Sequence, residues 1–169
     1  MAKFYTGIGS KRTPFFILVK MKRISRTLNK KGYTLRSGAA KGADEFFEYG
    51  STRKEIFLPF QGFNNSPSLL HKANDTYHKV ASSYVKYFND VSDEEKAFIA
   101  RDVRQVINNG VKSDFLICWT RDGATDISFN RRRTGGTWYA IALASLLGVQ
   151  VINLKNFTPS RIKKPLSNF

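Results

Sequence analysis

Three short glycine-bearing stretches of this chain have the residue types that hold phosphate. In Tyr33-Thr-Leu-Arg-Ser-Gly-Ala-Ala-Lys-Gly-Ala-Asp44 a short strand runs into a turn of small residues and then opens a helix. Such a turn leaves backbone N–H groups unpaired at a helix N-terminus, where an anion is favoured. Ser37, Gly38 and Gly42 allow a ligand to approach the backbone, and Lys41 adds a positive charge. Tyr5-Thr-Gly-Ile-Gly-Ser-Lys-Arg12 repeats the character, placing Gly7, Gly9, Ser10, Lys11 and Arg12 after the first strand. Thr134-Gly135-Gly136-Thr137 does the same ahead of the last long helix. In an open parallel sheet such turns meet at the carboxyl ends of the strands, so one nucleotide or phosphate pocket built by three loops is expected. Arg101 and Arg104 lie one turn apart on an expected helix, where they would clamp phosphate from the side. Trp119 and Trp138 flank the connection from Thr120 to Thr137 and are candidates for stacking on a base. Arg131, Arg132 and Arg133 in that connection would repel one another until an anion arrives, which reads as a mobile lid.

A second chemistry needs a carboxylate beside a sugar carbon, as in cleavage of an N-glycosidic bond. Asp44, in the first turn after the central loop, is the nearest candidate for a catalytic role, and Glu48 is a weaker one. Asp44 also suits, and better, a purely local task, accepting hydrogen bonds from the turn and holding its shape. His71 and His78 lie seven residues apart, but no cysteine or carboxylate cluster joins them, so no metal site is expected and no cofactor is called for.

The elements that must position these groups follow from periodicity. Apolar runs over residues 3–8, 33–36, 54–58, 114–119 and 149–154 read as strands. Between them, helices are expected over 14–31, with Thr13 as N-cap, and over 41–50. A third is expected near 68–86, a fourth from Ser92-Asp-Glu-Glu95 to about Asn109-Gly110, and a fifth over 138–147. Ile17, Met21, Ile24 and Leu28 mark the buried face of the first helix; Lys20, Arg23, Arg26 and Lys30 mark the opposite one. Alternating strands and helices imply parallel pairing by right-handed crossovers.

Composition sets the class of partner. Lys and Arg total 28 against 13 Asp and Glu, a formal charge of +15 over 169 residues, which attracts polyanions such as nucleic acid. Residues 1–54 hold 13 of the cations against Asp44, Glu45 and Glu48. Cys118 is the sole cysteine and lies in an apolar run, which suits a buried thiol and a reducing cytoplasm. No apolar stretch is long enough to span a bilayer, so a soluble chain with no membrane partner is expected. Residues 1–155 are expected to form one domain and 156–169 a basic tail with Pro159 and Pro165. Homo-oligomerisation is left open.

Gly7-Ile-Gly-Ser10, Ser37-Gly-Ala-Ala-Lys-Gly-Ala-Asp44, the strand 114–119 and Thr134-Gly-Gly-Thr137, taken in this order, resemble the SLOG superfamily of Rossmann-like proteins. The likeness covers about residues 3–154 and is greatest to the DprA/Smf-like and YspA-like branches, which include small versions carried by phages. The resemblance implies an α/β Rossmann-like three-layer sandwich, a mainly parallel five-stranded sheet flanked by helices, with the ligand over its carboxyl edge. It implies a nucleotide or single-stranded nucleic acid as partner, the superfamily also including nucleotide sensors and nucleotide-processing enzymes. In the phosphoribohydrolase-like branch a catalytic glutamate follows the third glycine turn by two or three residues; here Tyr139 and Ala140 stand there.

Overall fold

The five apolar runs form the five strands of one sheet. A computed structural model describes residues 1–156. Its strands are β1 (Lys3–Gly7), β2 (Tyr33–Ser37), β3 (Lys54–Ile56), the short β4 (Ile107–Asn108) and β5 (Val111–Lys112), β6 (Phe115–Cys118) and β7 (Gln150–Asn153). The main sheet has the spatial order β3-β2-β1-β6-β7 with every neighbouring pair parallel, and Tyr5 lies opposite both Leu35 and Phe115. The chain therefore winds outward from β1 to one edge and returns to fill the other. Between β1 and β6 the winding reverses, and a crevice opens beyond the carboxyl ends of those strands.

The two-residue alternation of the strands sends side chains to two separate cores. On one face Tyr5, Leu35, Phe115 and Ile117 meet α1 (Phe15–Lys30) and α2 (Ala43–Glu48) through Ile17, Met21, Ile24, Leu28 and Phe47. On the other, Leu116 and Cys118 meet α3 (Asp75–Tyr84), α4 (Asp93–Val106) and α6 (Trp138–Leu146). A single helical turn, α5 (Arg131–Thr134), precedes α6. This is the Rossmann-like three-layer sandwich expected. Cys118 is fully buried in the strand that separates β1 from β7, and burial raises its thiol pKa.

Several boundaries differ from expectation, each for a local reason. Thr13 does not cap α1: its hydroxyl donates to Ser10 O at 2.6 Å, and the extended Pro14 stands at the cap instead. Residues 68–74 do not join the helix expected near 68–86, because Leu70 adds to the sheet beside Phe57 and its carbonyl accepts from Leu58 N at 3.1 Å; α3 starts only where the Asn74 side chain caps it. α4 stops at Val106, short of Asn109-Gly110. Those two residues have φ of 49° and 76° and form the turn of the β4–β5 hairpin, which a two-residue Asn-Gly turn favours. Arg36, buried in β2, donates to Glu55 at 2.8 Å and to Val111 O at 2.7 Å, tying that hairpin to the sheet. Among the described residues no helix is long and apolar enough to cross a membrane. The basic tail expected from 156 onward lies, beyond Asn156, outside the described residues.

Candidate functional site

The turn after β1 is shaped by close packing and by Ser10. A Cβ on Gly7 would lie 2.7 Å from the Phe47 ring, and one on Gly9 2.7 Å from Ala43 Cβ. Both glycines therefore let α2 press against the strand. Ser10 N donates to Trp119 O at 3.1 Å, which holds the turn beside the end of β6. Ser10 O accepts from Thr13 N, and Ser10 Oγ accepts from Arg12 N, both at 3.1 Å. Lys11 and Arg12 are left exposed at the apex, and neither side chain makes an ion pair among the described residues.

The central turn is organised around an internal carboxyl group. Asp44 Oδ2 accepts from Gly38 N at 3.1 Å and from Ala40 N at 3.2 Å, and Glu45 Oε2 accepts from Gly42 N at 2.9 Å. The amides expected to receive phosphate are thus occupied by the chain's own carboxylates. Ser37 Oγ donates to Gly7 O at 2.7 Å in the sheet interior. Gly42 is glycine for its φ of 90°, and Gly38 packs closely against the ends of the Gln105 and Arg101 side chains. Burial raises Asp44 from the ordinary carboxylate value of 3.8 to about 7, against the opposing charge of Arg101 and the two backbone bonds.

The third turn presents the most open backbone. Asn130 Oδ1 caps α5 through Arg132 N, and the Thr134 hydroxyl donates to Asp122 at 2.6 Å. Beyond it a Cβ on Gly135 or Gly136 would meet nothing within 4 Å. No hydrogen bond among the described residues engages the N–H of Gly136 or of Thr137. Arg131 is not part of a self-repelling lid. Its Nη2 donates to Glu95 at 3.0 Å and its Nε to the Tyr139 hydroxyl at 2.7 Å; that hydroxyl in turn donates to Glu95 at 3.0 Å. The segment is further pinned where the Trp138 indole donates to Phe129 O at 2.9 Å. Arg132 and Arg133 are exposed.

These parts border one cavity of about 580 Å³ at the winding reversal. Of the residues expected in a site, Gly9, Ser10, Lys11, Arg12, Asp44 and Arg101 line it, together with the whole Thr134–Thr137 turn. Gly7, Ser37, Gly38, Lys41 and Gly42 do not. Arg104 does not either: it faces away and donates from Nη1 to Leu70 O and Lys72 O, both at 3.0 Å, its guanidinium 4.5 Å from the centre of the Phe57 ring. Trp119 and Trp138 are buried in the two cores, so neither ring is available to stack on a base. Glu48 pairs with Lys54 at 3.0 Å outside the cavity.

One wall escaped the reading of the sequence. α4 supplies Glu94, Glu95, Phe98, Arg101, Asp102 and Gln105, spaced three and four apart along a single helical face, with Phe63 beside Phe98. Arg101 is held by Asp102 at 2.7 Å and donates to Gly38 O at 3.0 Å, so it braces the central turn as well as lining the cavity. Gln105, 1% exposed, also lines the cavity, and its buried Nε2 has no hydrogen-bond partner among the described residues. A largely polar stripe of period 3.6 on α4, beside the apolar one of Ile99, Val103 and Val106, is the signal that would have found this wall.

The chain matches no family model and no curated protein. Among solved structures its fold is similar to that of DNA processing protein A from Helicobacter pylori, a single-stranded DNA binding protein. The TM-score is 0.55 and the sequence identity 20%, over 90% of this chain and 64% of that one. This chain thus spans less than two thirds of the other's length, and the two share a DprA-like, Rossmann-like architecture.

Proposed function

We propose that the cleft binds a phosphate-bearing nucleotide ligand, single-stranded nucleic acid in the first place. The observation that carries this reading is the pairing of two turns across the cavity. The unpaired N–H groups of Gly136 and Thr137 lie at the start of α6, and the uncompensated side chains of Lys11 and Arg12 stand at the rim. Amides at a helix N-terminus with cations beside them are a phosphate site by chemistry. The charge of +15 suits a polyanion. The single-stranded DNA binding of the H. pylori protein is in keeping with the same reading.

The test is fluorescence anisotropy with a labelled oligothymidylate across salt. If Lys11, Arg12 and one further cation each neutralise a phosphate, affinity falls roughly twentyfold between about 50 and about 200 mM salt. Gly136→Ala places a methyl in open space, so it folds as the parent does while obstructing the ligand; weaker binding at unchanged Tm is the expected result. Absence of binding at low salt in the parent chain refutes the reading.

A second reading rests on the Glu95, Tyr139 and Arg131 cluster. Burial raises the Tyr139 hydroxyl, keeping it a proton donor beside the Glu95 carboxylate in the cavity wall. A carboxylate held in place to stabilise a cationic sugar carbon is what N-glycoside cleavage needs. Glu95 thus replaces Asp44 and Glu48 as the candidate for that chemistry. Release of free base from a panel of nucleotides, lost in Glu95→Gln, is the expected signature; no release removes it. A small signalling nucleotide as ligand would show itself by mass spectrometry of whatever copurifies.

A further inference from the structure

The outer surface of α1 and α2 carries exposed aromatic rings at Phe15, Phe16 and Tyr49, linked through the half-buried Phe46, which also packs on the core beneath. Phe15 and Phe16 are each 72% exposed and Tyr49 is 61% exposed. The Phe15 ring stands edge-on to Phe46 at 6.1 Å, and Phe46 edge-on to Tyr49 at 5.6 Å. The three rings form a continuous row from the start of α1 to the end of α2, and Lys22 Nζ lies 5.9 Å from the centre of the Tyr49 ring. The row begins three residues after Arg12, which lines the cleft. An exposed row of this kind marks an interaction surface.

Charge selects the occupant. α1 contains no acidic residue and carries Lys20, Lys22, Arg23, Arg26 and Lys30. A second copy of the chain would bring the same cations against themselves, which is unfavourable at close range. Single-stranded nucleic acid offers both things this surface lacks: unpaired π faces for the rings and a phosphate with every base. We propose that a strand leaving the cleft runs across α1 and α2, stacking bases on Phe15, Phe46 and Tyr49 while its phosphates meet Arg12 and Lys22. This rests on the nucleic-acid reading of the cleft and extends it to a second subsite.

Two labelled oligothymidylates separate the subsites, one of about 4 nucleotides that fills the cleft and one of about 16 that also reaches the rings. Each ring that stacks contributes roughly fivefold to 150-fold in affinity. The double variant Phe15→Ala, Tyr49→Ala is expected to bind the long strand at least about tenfold more weakly, to bind the short strand unchanged, and to keep its Tm, since both side chains are exposed. Equal affinity of parent and variant for the long strand overturns the proposal while leaving the cleft reading intact. So does a parent dimer that becomes monomeric in the variant with DNA affinity unchanged, which would assign the row to self-association. Failure of the parent chain to bind either strand at low salt overturns the cleft reading and this extension together.

Discussion

Asp44 shows how one side chain decides what a turn can do. By accepting from Gly38 and Ala40 it uses the amides of the central turn internally, and it is the turns at Gly9–Arg12 and Thr134–Thr137 that present their residues to the cavity. Its pKa adds a pH dependence of definite sign. The ordinary value is 3.8 and the folded value about 7, so between them the folded chain binds a proton that the unfolded chain has released. The stabilisation this provides is complete below about 4 and is lost as pH rises to about 7. Calorimetry from pH 5 to pH 8 should therefore show Tm falling with pH, and Asp44→Asn, which keeps an acceptor oxygen, should flatten that fall. Parallel profiles for the two proteins would mean that Asp44 is already ionised in the fold. The sequence pointed to Asp44 as a residue of consequence and left both of its roles open, because an aspartate after a glycine turn can serve a ligand or a backbone.

At the level of elements, α4 is divided between two duties. Arg101 turns toward the cleft while Arg104, three residues on, anchors the irregular 60–74 connection through Leu70 O and Lys72 O. Arg104→Ala should cost about 2–4 kcal/mol in urea unfolding, since it strips a charged donor from two carbonyls and a guanidinium from the Phe57 ring. It should leave affinity for a short oligonucleotide close to that of the parent; a large loss of affinity at unchanged stability would place Arg104 in the site after all. The strands were legible because each is a short run rich in β-branched, aromatic or aliphatic residues, the first three closed by Gly or Pro, and the two cavity-lining turns because their glycines stand after the first strand and ahead of the last helix. The division of α4 was not. Arginines at that spacing share a side of the helix in a count of residues, but the neighbouring 60–74 loop captures one of them, and that loop has no periodicity to reveal its path. The Asn109-Gly110 pair was read as a helix stop. It is a hairpin turn, as Val111 after it and Ile107 before it would have indicated.

For the molecule as a whole, sheet order and charge work in the same direction. The reversal between β1 and β6 puts the cleft beside the start of α1, and the first third of the chain, which carries most of the excess positive charge, forms that side of the sandwich. A polyanion is drawn to the face where the cleft opens. The burial of Cys118 equips this molecule with its own stability gauge. The chain has one thiol, fully enclosed between β1 and β7 under α6, so a thiol-specific reagent can reach it only when the middle of the sheet opens. The rate of labelling under native conditions then measures that opening. Any compound that binds the closed form slows it by a factor of one plus the ratio of its concentration to Kd, about a hundredfold at about 100 times Kd. Nucleotides, oligonucleotides of graded length and unrelated polyanions can be ranked as ligands on the unmodified chain in this way, with no label on the ligand and no substitution in the protein.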